Sequence, residues 1–183
     1  LWMFQGHTDI ETLNKYGCHF WDDLFKTDGV TDVDYLYGNY IRGGGVFDQL
    51  AYLIDGLKEP GSNRRLYMNL TNLESFTTSL PSIVPPCITS VQVIKYNVRG
   101  IDWFDMIVTM RSSDVIIGLP NDIIAFNVLA AILQYATGVR YRVMHFNLAS
   151  AHIYENLIGT AEKLLAIPAL SSDVTLRVRD LEL

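Results

Sequence analysis

Two long strand-like runs, Ile88 to Val98 and Ile101 to Met110, are separated only by Arg99-Gly100. A two-residue connection cannot carry a crossover, so these runs are read as strands joined by a tight hairpin. The rest of the fold must be arranged around that ribbon. Upstream, Thr8-Asp9-Ile10-Glu11 has capping-box spacing and predicts a short helix stopping near Gly17. Phe47, Leu50, Ala51, Leu53, Ile54 and Leu57 recur at helical spacing, and Pro60-Gly61 ends that helix. Leu66 to Leu70 reads as another strand.

Beyond the hairpin, the most apolar stretch runs from Val115 to Val139 and is interrupted by Pro120, Asn121 and Asp122. The remainder, about Ile123 to Thr137, is short for a bilayer span and predicts a buried core helix, capped by Asp122 and terminated by Gly138. A strand from Tyr141 to Leu148, a helix from about Ser150 to Leu165 and a final strand over Val174 to Val178 complete the expectation. Helices and strands mix without strict alternation, which indicates an α+β fold. At 183 residues the chain suits a single domain, 1–183, and no repeat, low-complexity tract or linker interrupts it.

The net charge of −6 argues against a nucleic-acid partner. An anionic ligand would therefore need a local cluster of arginines. Two cysteines, Cys18 and Cys87, make neither a disulfide framework nor a zinc site, so no metal is expected and a reducing, cytoplasmic location is the default. No signal peptide is visible and no membrane contact is expected. Leu1 is not an initiator methionine, so the original N-terminus is expected to lie outside these residues.

Chemistry-bearing residues form ordered blocks. Arg111-Ser112-Ser113-Asp114 leads through Gly118 to Pro120-Asn121-Asp122; Pro85-Pro86-Cys87 lies upstream and His152-Ile153-Tyr154 downstream. Asn63-Arg64-Arg65, Tyr37-Gly38, Phe20-Trp21-Asp22 and the opening Leu1-Trp2-Met3-Phe4-Gln5-Gly6 precede them. Taken alone, each has an ordinary reading. Cys87 would be a small buried residue beginning a strand, Arg64-Arg65 a solvent-facing pair after a turn, His152-Tyr154 a backbone-satisfied core pair, and Trp21 a surface anchor. Together, in this order and up to about Leu165, they resemble the thymidylate synthase family.

The resemblance implies a mixed β-sheet flanked by helices and a reaction at carbon 5 of a pyrimidine deoxynucleoside monophosphate. It places Cys87 as the nucleophile that adds to carbon 6. Thiolates form readily beside cationic arginines, and Arg111 would stand near both Cys87 and the phosphate. Tyr37 would support the network around the developing charge. Arg64, Arg65, Arg111 and Ser112 would hold phosphate, the first two reaching the neighbouring subunit's site, so a homodimer is implied. His152 and Tyr154 would bind the sugar 3′-hydroxyl. Trp21, Asp114 and Gly118 would line the site of 5,10-methylenetetrahydrofolate, the co-substrate. Arg42 has only a rough counterpart and no assigned role, and Cys18-His19 falls at no functional position.

Asp122 departs from the thymidylate synthase pattern, which has asparagine there to read uracil O4 and N3–H. Cytosine offers an N4 donor and an N3 acceptor. A carboxylate accepts from N4–H, and a protonated carboxyl also donates to N3. The Asn121-Asp122 pair is similar to the phage deoxycytidylate hydroxymethylases of this family, in which water captures an exocyclic methylene on dCMP. Ile88, where thymidylate synthases usually have histidine, fits the same departure, and Ser112 favours a deoxyribonucleotide. The resemblance also implies a catalytic glutamate just upstream of Leu1, an N-terminal arginine loop and a C-terminal tail, none within these residues. A domain truncated at both ends, unable to turn over alone, is the expectation.

Overall fold

A computed structural model describes residues 2–17, 19, 37–43, 47–71 and 85–168. Trp21, Cys18 and the strand expected over Val174 to Val178 lie outside the described residues. The elements are α1 (Ile10–Lys15), α2 (Tyr37–Arg42), α3 (Gln49–Lys58), β1 (Asn63–Asn69), β2 (Ile88–Val98), β3 (Ile101–Met110), β4 (Ser113–Asp114), α4 (Gly118–Thr137), β5 (Arg140–Leu148), β6 (Ala151–His152), a 3₁₀ turn (Glu155–Leu157) and α5 (Ile158–Leu165). The described residues form an α+β domain in which helices cover a mixed sheet.

The hairpin is the spine. Arg99 and Gly100 both take positive φ, 53° and 82°, the geometry that matches a two-residue turn to the twist of its strands. Asn97 closes the turn, its Oδ1 accepting from Gly100 N–H at 3.0 Å while its Nδ2 donates to Asp102 Oδ1 at 2.6 Å. β1 pairs antiparallel with the outer side of β2, and β5 pairs parallel with β3, giving the sheet order β1-β2-β3-β5. Its inner face presents Leu66, Met68, Val91, Val93, Phe104, Met106 and Val108, all fully buried. α3 covers it with Leu50, Leu53 and Leu57, and α4 with Phe126, Leu129, Ala130 and Leu133. Burying each of these large side chains contributes about 1.5–3 kcal/mol relative to exposure. One cation is drawn in as well. Lys95 is buried because its Nζ donates to Glu59 O at 2.6 Å and pairs with Asp102 at 3.1 Å, tying the end of α3 to the hairpin.

Four expectations change. α1 is capped by Asp9, whose side chain accepts from Thr12 N–H, one residue later than the Thr8 capping box implies. α4 begins at Gly118, because Pro120 falls in the first turn, where no backbone N–H needs an intrahelical partner. Asp122 is therefore inside the helix and caps nothing. Asp114 does that work, its Oδ1 accepting from Ile116 N–H and its Oδ2 from Ile117 and Gly118 N–H. By length and composition α4 meets the requirement for a membrane span, yet it lies as a one-sided cover on the sheet, with Ile123, Ile124 and Tyr135 exposed on its other side. The helix expected from Ser150 starts only at Ile158, since Ala151 and His152 pair in parallel with Ser113 and Asp114 instead.

α2 packs onto the N-terminal turn so closely that a Cβ at Gly38 would stand 2.3 Å from His7 O and 3.1 Å from Gly6 C. Backbone cannot yield there as a side chain would. Gly38→Ala is expected to destabilise by on the order of 1–3 kcal/mol, seen as a lower urea midpoint with unchanged m-value. An unchanged midpoint would show that this contact is loose in solution.

Candidate active site

The hairpin's open end brings the first two site residues together. Cys87 immediately precedes β2 and Arg111 immediately follows β3; antiparallel register makes them neighbours, with Arg111 N–H donating to Cys87 O at 2.8 Å. The Arg111 guanidinium turns back over the same segment. Its Nε donates to Pro86 O at 3.1 Å, and its Nη2 donates to Pro85 O at 2.6 Å and to Cys87 Sγ at 3.7 Å. The proline carbonyls were not foreseen as partners, although two consecutive residues without N–H groups leave acceptors with no local donor. A register shift between Ile88 and Ser90, with Thr89 Oγ1 donating to Thr109 O, places a bulge directly beside the cysteine.

Tyr37 reaches in from α2, its hydroxyl accepting from Ile88 N–H at 3.0 Å. Burial drives its phenol well above the usual tyrosine range, and the nearby Cys87 and Asp122 charges push the same way. Asp122 approaches from the second turn of α4. Burial lifts its carboxyl to about 6, so that it is the one carboxyl at this site titrating near neutrality among the described residues. Its charge is felt at the thiol. Burial pushes Cys87 up, Arg111 pulls it down and ionised Asp122 pushes it up again, leaving the thiol above its ordinary value. Proximity to arginine therefore does not by itself give a thiolate here, contrary to the expectation from sequence; desolvation outweighs it. Asn121 does not join Asp122: it is exposed, and its Nδ2 donates to Ile117 O in its own helix.

The sugar- and phosphate-reading candidates meet across the β4–β6 ladder. Ser112 Oγ lies 3.3 Å from His152 Nδ1, and Tyr154 sets its ring edge-on to His152 at 5.0 Å between centroids. Asp114 sits beside them. Burial raises its carboxyl, but the N–H groups of Ile117, Gly118 and Ile116, with His152 adding to them, outweigh that and hold it low. Oδ2 has both its lone pairs engaged, whereas Oδ1 keeps one for a further donor, so the residue can cap α4 and still accept one more hydrogen bond. Gly118 has only the Asp114 Cβ within 4 Å of where a side chain would begin, which leaves room for a ligand.

Arg64 and Arg65 stand apart. They are exposed on the edge strand β1, whose antiparallel register sets Asn69 near the Cys87 end of β2 and Asn63 opposite Lys95. At about 3.3 Å per residue that places them roughly 20 Å along the sheet from the thiol. Arg42 pairs with Asp48 at 2.9 Å.

Arg111 is the cation beside the thiol, so replacing it should be visible before any substrate binds. Arg111→Gln is expected to move the pH midpoint of Cys87 alkylation upward and to slow the reaction at neutral pH severalfold, followed by mass mapping of the Cys87 peptide. Arg111→Lys, which keeps the charge, should lie between the two. An unmoved midpoint in Arg111→Gln would mean that the 3.7 Å contact carries no electrostatic weight.

The sequence model of the family described as "Thymidylate synthase" matches residues 1–181. Among curated proteins the chain is similar to the thymidylate synthase of Symbiobacterium thermophilum, 29% identical over 175 residues that cover 86% of this chain and 58% of that protein. It is also similar to the thymidylate synthase of Bacillus subtilis subsp. natto, 29% identical over 162 residues covering 84% and 54%, and to that of Haloferax volcanii, 28% identical over 175 residues covering 84% and 49%. The chain thus spans about half to three fifths of the length of these relatives. With the family match running across nearly its whole length and the cysteine, arginine, serine and histidine positions gathered at one end of the sheet, this chain belongs to the thymidylate synthase family.

Proposed function

We propose that the protein transfers a one-carbon unit from 5,10-methylenetetrahydrofolate to carbon 5 of a pyrimidine deoxynucleoside monophosphate, with dCMP hydroxymethylation as the reaction. The observation that carries the base preference is the half-buried Asp122 carboxyl, lifted to about 6 beside Cys87 and Tyr37. A group titrating there exists near neutral pH both as an acceptor for cytosine N4–H and as a donor to N3. Against uracil its ionised form meets the O4 lone pairs instead.

Cys87 forms the carbon–sulfur bond at carbon 6 and the displaced electron pair settles at carbon 5. Arg111 holds the thiolate as its proton leaves to solvent, and Tyr37 orders the Ile88 backbone next to it. Methylenetetrahydrofolate, when bound, supplies carbon at the oxidation level of formaldehyde; Asp114 and Gly118 would hold it, with Trp21 as the expected stacking partner. After transfer, carbon 5 would give up its hydrogen as a proton to solvent, and the folate would leave as tetrahydrofolate with the electron pair of the broken carbon–nitrogen bond. Water would add to the resulting exocyclic methylene, and Cys87 would leave carbon 6. Arg111 and Ser112 hold the phosphate, and His152 and Tyr154 the 3′-hydroxyl.

The names of the relatives favour a second reading, dUMP methylation, with dCMP 5-methylation on the same core as a variant of it. A nucleotide-binding paralogue without catalysis is disfavoured by the retention of Cys87, Arg111, Ser112, His152 and Tyr154 together. Incubating the full-length protein with methylenetetrahydrofolate and dCMP or dUMP, then weighing the products, separates these readings. Hydroxymethyl-dCMP supports the first, dihydrofolate formation indicates methylation, and exclusive turnover of dUMP overturns the role given to Asp122.

The distance of Arg64 and Arg65 from the thiol supports their use by a second copy of the chain, in a cytoplasmic homodimer. Sedimentation should give twice the protomer mass, and Arg64→Ala with Arg65→Ala should weaken dCMP binding without disturbing the fold. A monomer that still binds the phosphate would overturn the arrangement.

A further inference from the structure

Ser112 and His152 are far apart in sequence, and the β4–β6 ladder brings them together. Ser113 N–H donates to Ser150 O at 2.8 Å and Val115 N–H to His152 O at 3.0 Å, fixing both backbones on either side of the contact. The hydroxyl then lies 3.3 Å from Nδ1, and the edge-on Tyr154 ring restrains the imidazole. A serine hydroxyl has one proton and a neutral imidazole has one ring proton, so the pair has two arrangements. Either Ser112 donates to Nδ1 and Nε2 carries the ring proton, or Nδ1–H donates to Oγ and Nε2 is a bare acceptor.

We propose that Ser112 is a positioning residue that couples phosphate binding to sugar recognition through the tautomer of His152. This rests on the reading above in which Arg111 and Ser112 hold the phosphate. An anion that takes the Ser112 proton as its hydrogen bond leaves Oγ able only to accept. His152 must then present Nδ1–H to it, the ring proton passing from Nε2 to Nδ1 through solvent while the hydroxyl proton stays on Ser112. Nε2 becomes the acceptor for a sugar hydroxyl. Phosphate at one end thereby prepares the ring for the 3′-hydroxyl at the other, and by reciprocity the sugar strengthens phosphate binding.

The test uses the chain with ¹⁵N-labelled histidine rings at about pH 8, the His152 signals assigned by their loss in His152→Gln. Inorganic phosphate is titrated in, and its binding is followed independently by ³¹P line broadening. The expected result is a shift of the unprotonated-nitrogen resonance from Nδ1 towards Nε2, with the Kd for deoxycytidine falling at least about fivefold in saturating phosphate. Ser112→Ala should abolish both effects and Ser112→Thr should keep them. Phosphate that binds without moving the His152 resonances, or that moves them equally in Ser112→Ala, overturns the coupling alone. Failure of phosphate to bind at all overturns the phosphate reading and the coupling with it.

Discussion

Cys87→Ser is expected to lower turnover by at least a factor of about a thousand, because removing the nucleophile of a covalent mechanism costs up to roughly 10⁶-fold where it has been dissected. Serine preserves the volume and the Arg111 contact, but its hydroxyl is far harder to ionise than a thiol. The thiol itself starts at a disadvantage, since burial and the Asp122 charge hold it above its ordinary value despite Arg111. Substrate must therefore complete the activation. A cytosine that engages the Asp122 carboxyl through N4–H and N3 spreads or neutralises the charge that opposes the thiolate, so reading the correct base also prepares the nucleophile. A folate-free assay isolates this step. Addition at carbon 6 makes carbon 5 basic, so wild type should exchange the carbon 5 hydrogen of dCMP with solvent, and Cys87→Ser should not. Exchange that survives the substitution would remove Cys87 from the mechanism.

How far the site could be read in advance depended on whether its geometry is local. The β2 and β3 boundaries followed from two alternating runs and a two-residue turn, because a hairpin's register is set by its own loop. That same register put Cys87 beside Arg111. The fork from Arg111 to the Pro85 and Pro86 carbonyls had no such signature, since it depends on how the segment before β2 crosses the end of β3. His152 and Tyr154 were expected near the start of a helix because their neighbourhood has helical composition. The pairing of Ala151 and His152 with Ser113 and Asp114 is long-range and leaves no local trace, so it overrode that propensity. Asp114 takes the capping role expected of Asp122 for a related reason. Both are plausible caps, and Asp114 prevails because its carboxylate reaches three orphan N–H groups at once. Freed from capping, Asp122 is available to the site.

That freedom makes Asp122→Asn the more discriminating substitution. Opposite uracil O4, one carboxylate oxygen becomes an N–H donor, so a repulsive contact turns into a hydrogen bond. Hydrogen bonds to charged or desolvated groups are worth about 1.5–3 kcal/mol, so the ratio of kcat/KM for dUMP over dCMP should rise by roughly tenfold to 150-fold. An amide can still address cytosine, so the change should come mainly from gained dUMP activity. Stability gives a separate readout of the same group. Its folded value of about 6 is above the ordinary 3.8, so between those values the folded state holds more proton than the unfolded chain. Stability from this residue is therefore greatest below about pH 4 and declines as pH rises from there to about 6, a penalty of up to about 3 kcal/mol that then persists. Asp122→Asn should lift Tm at pH 7 and leave it nearly unchanged at pH 4. A variant with unaltered base preference but this pH signature would mean that the carboxyl is buried without contacting the base. One with altered preference and no pH signature would place Asp122 in water until substrate arrives.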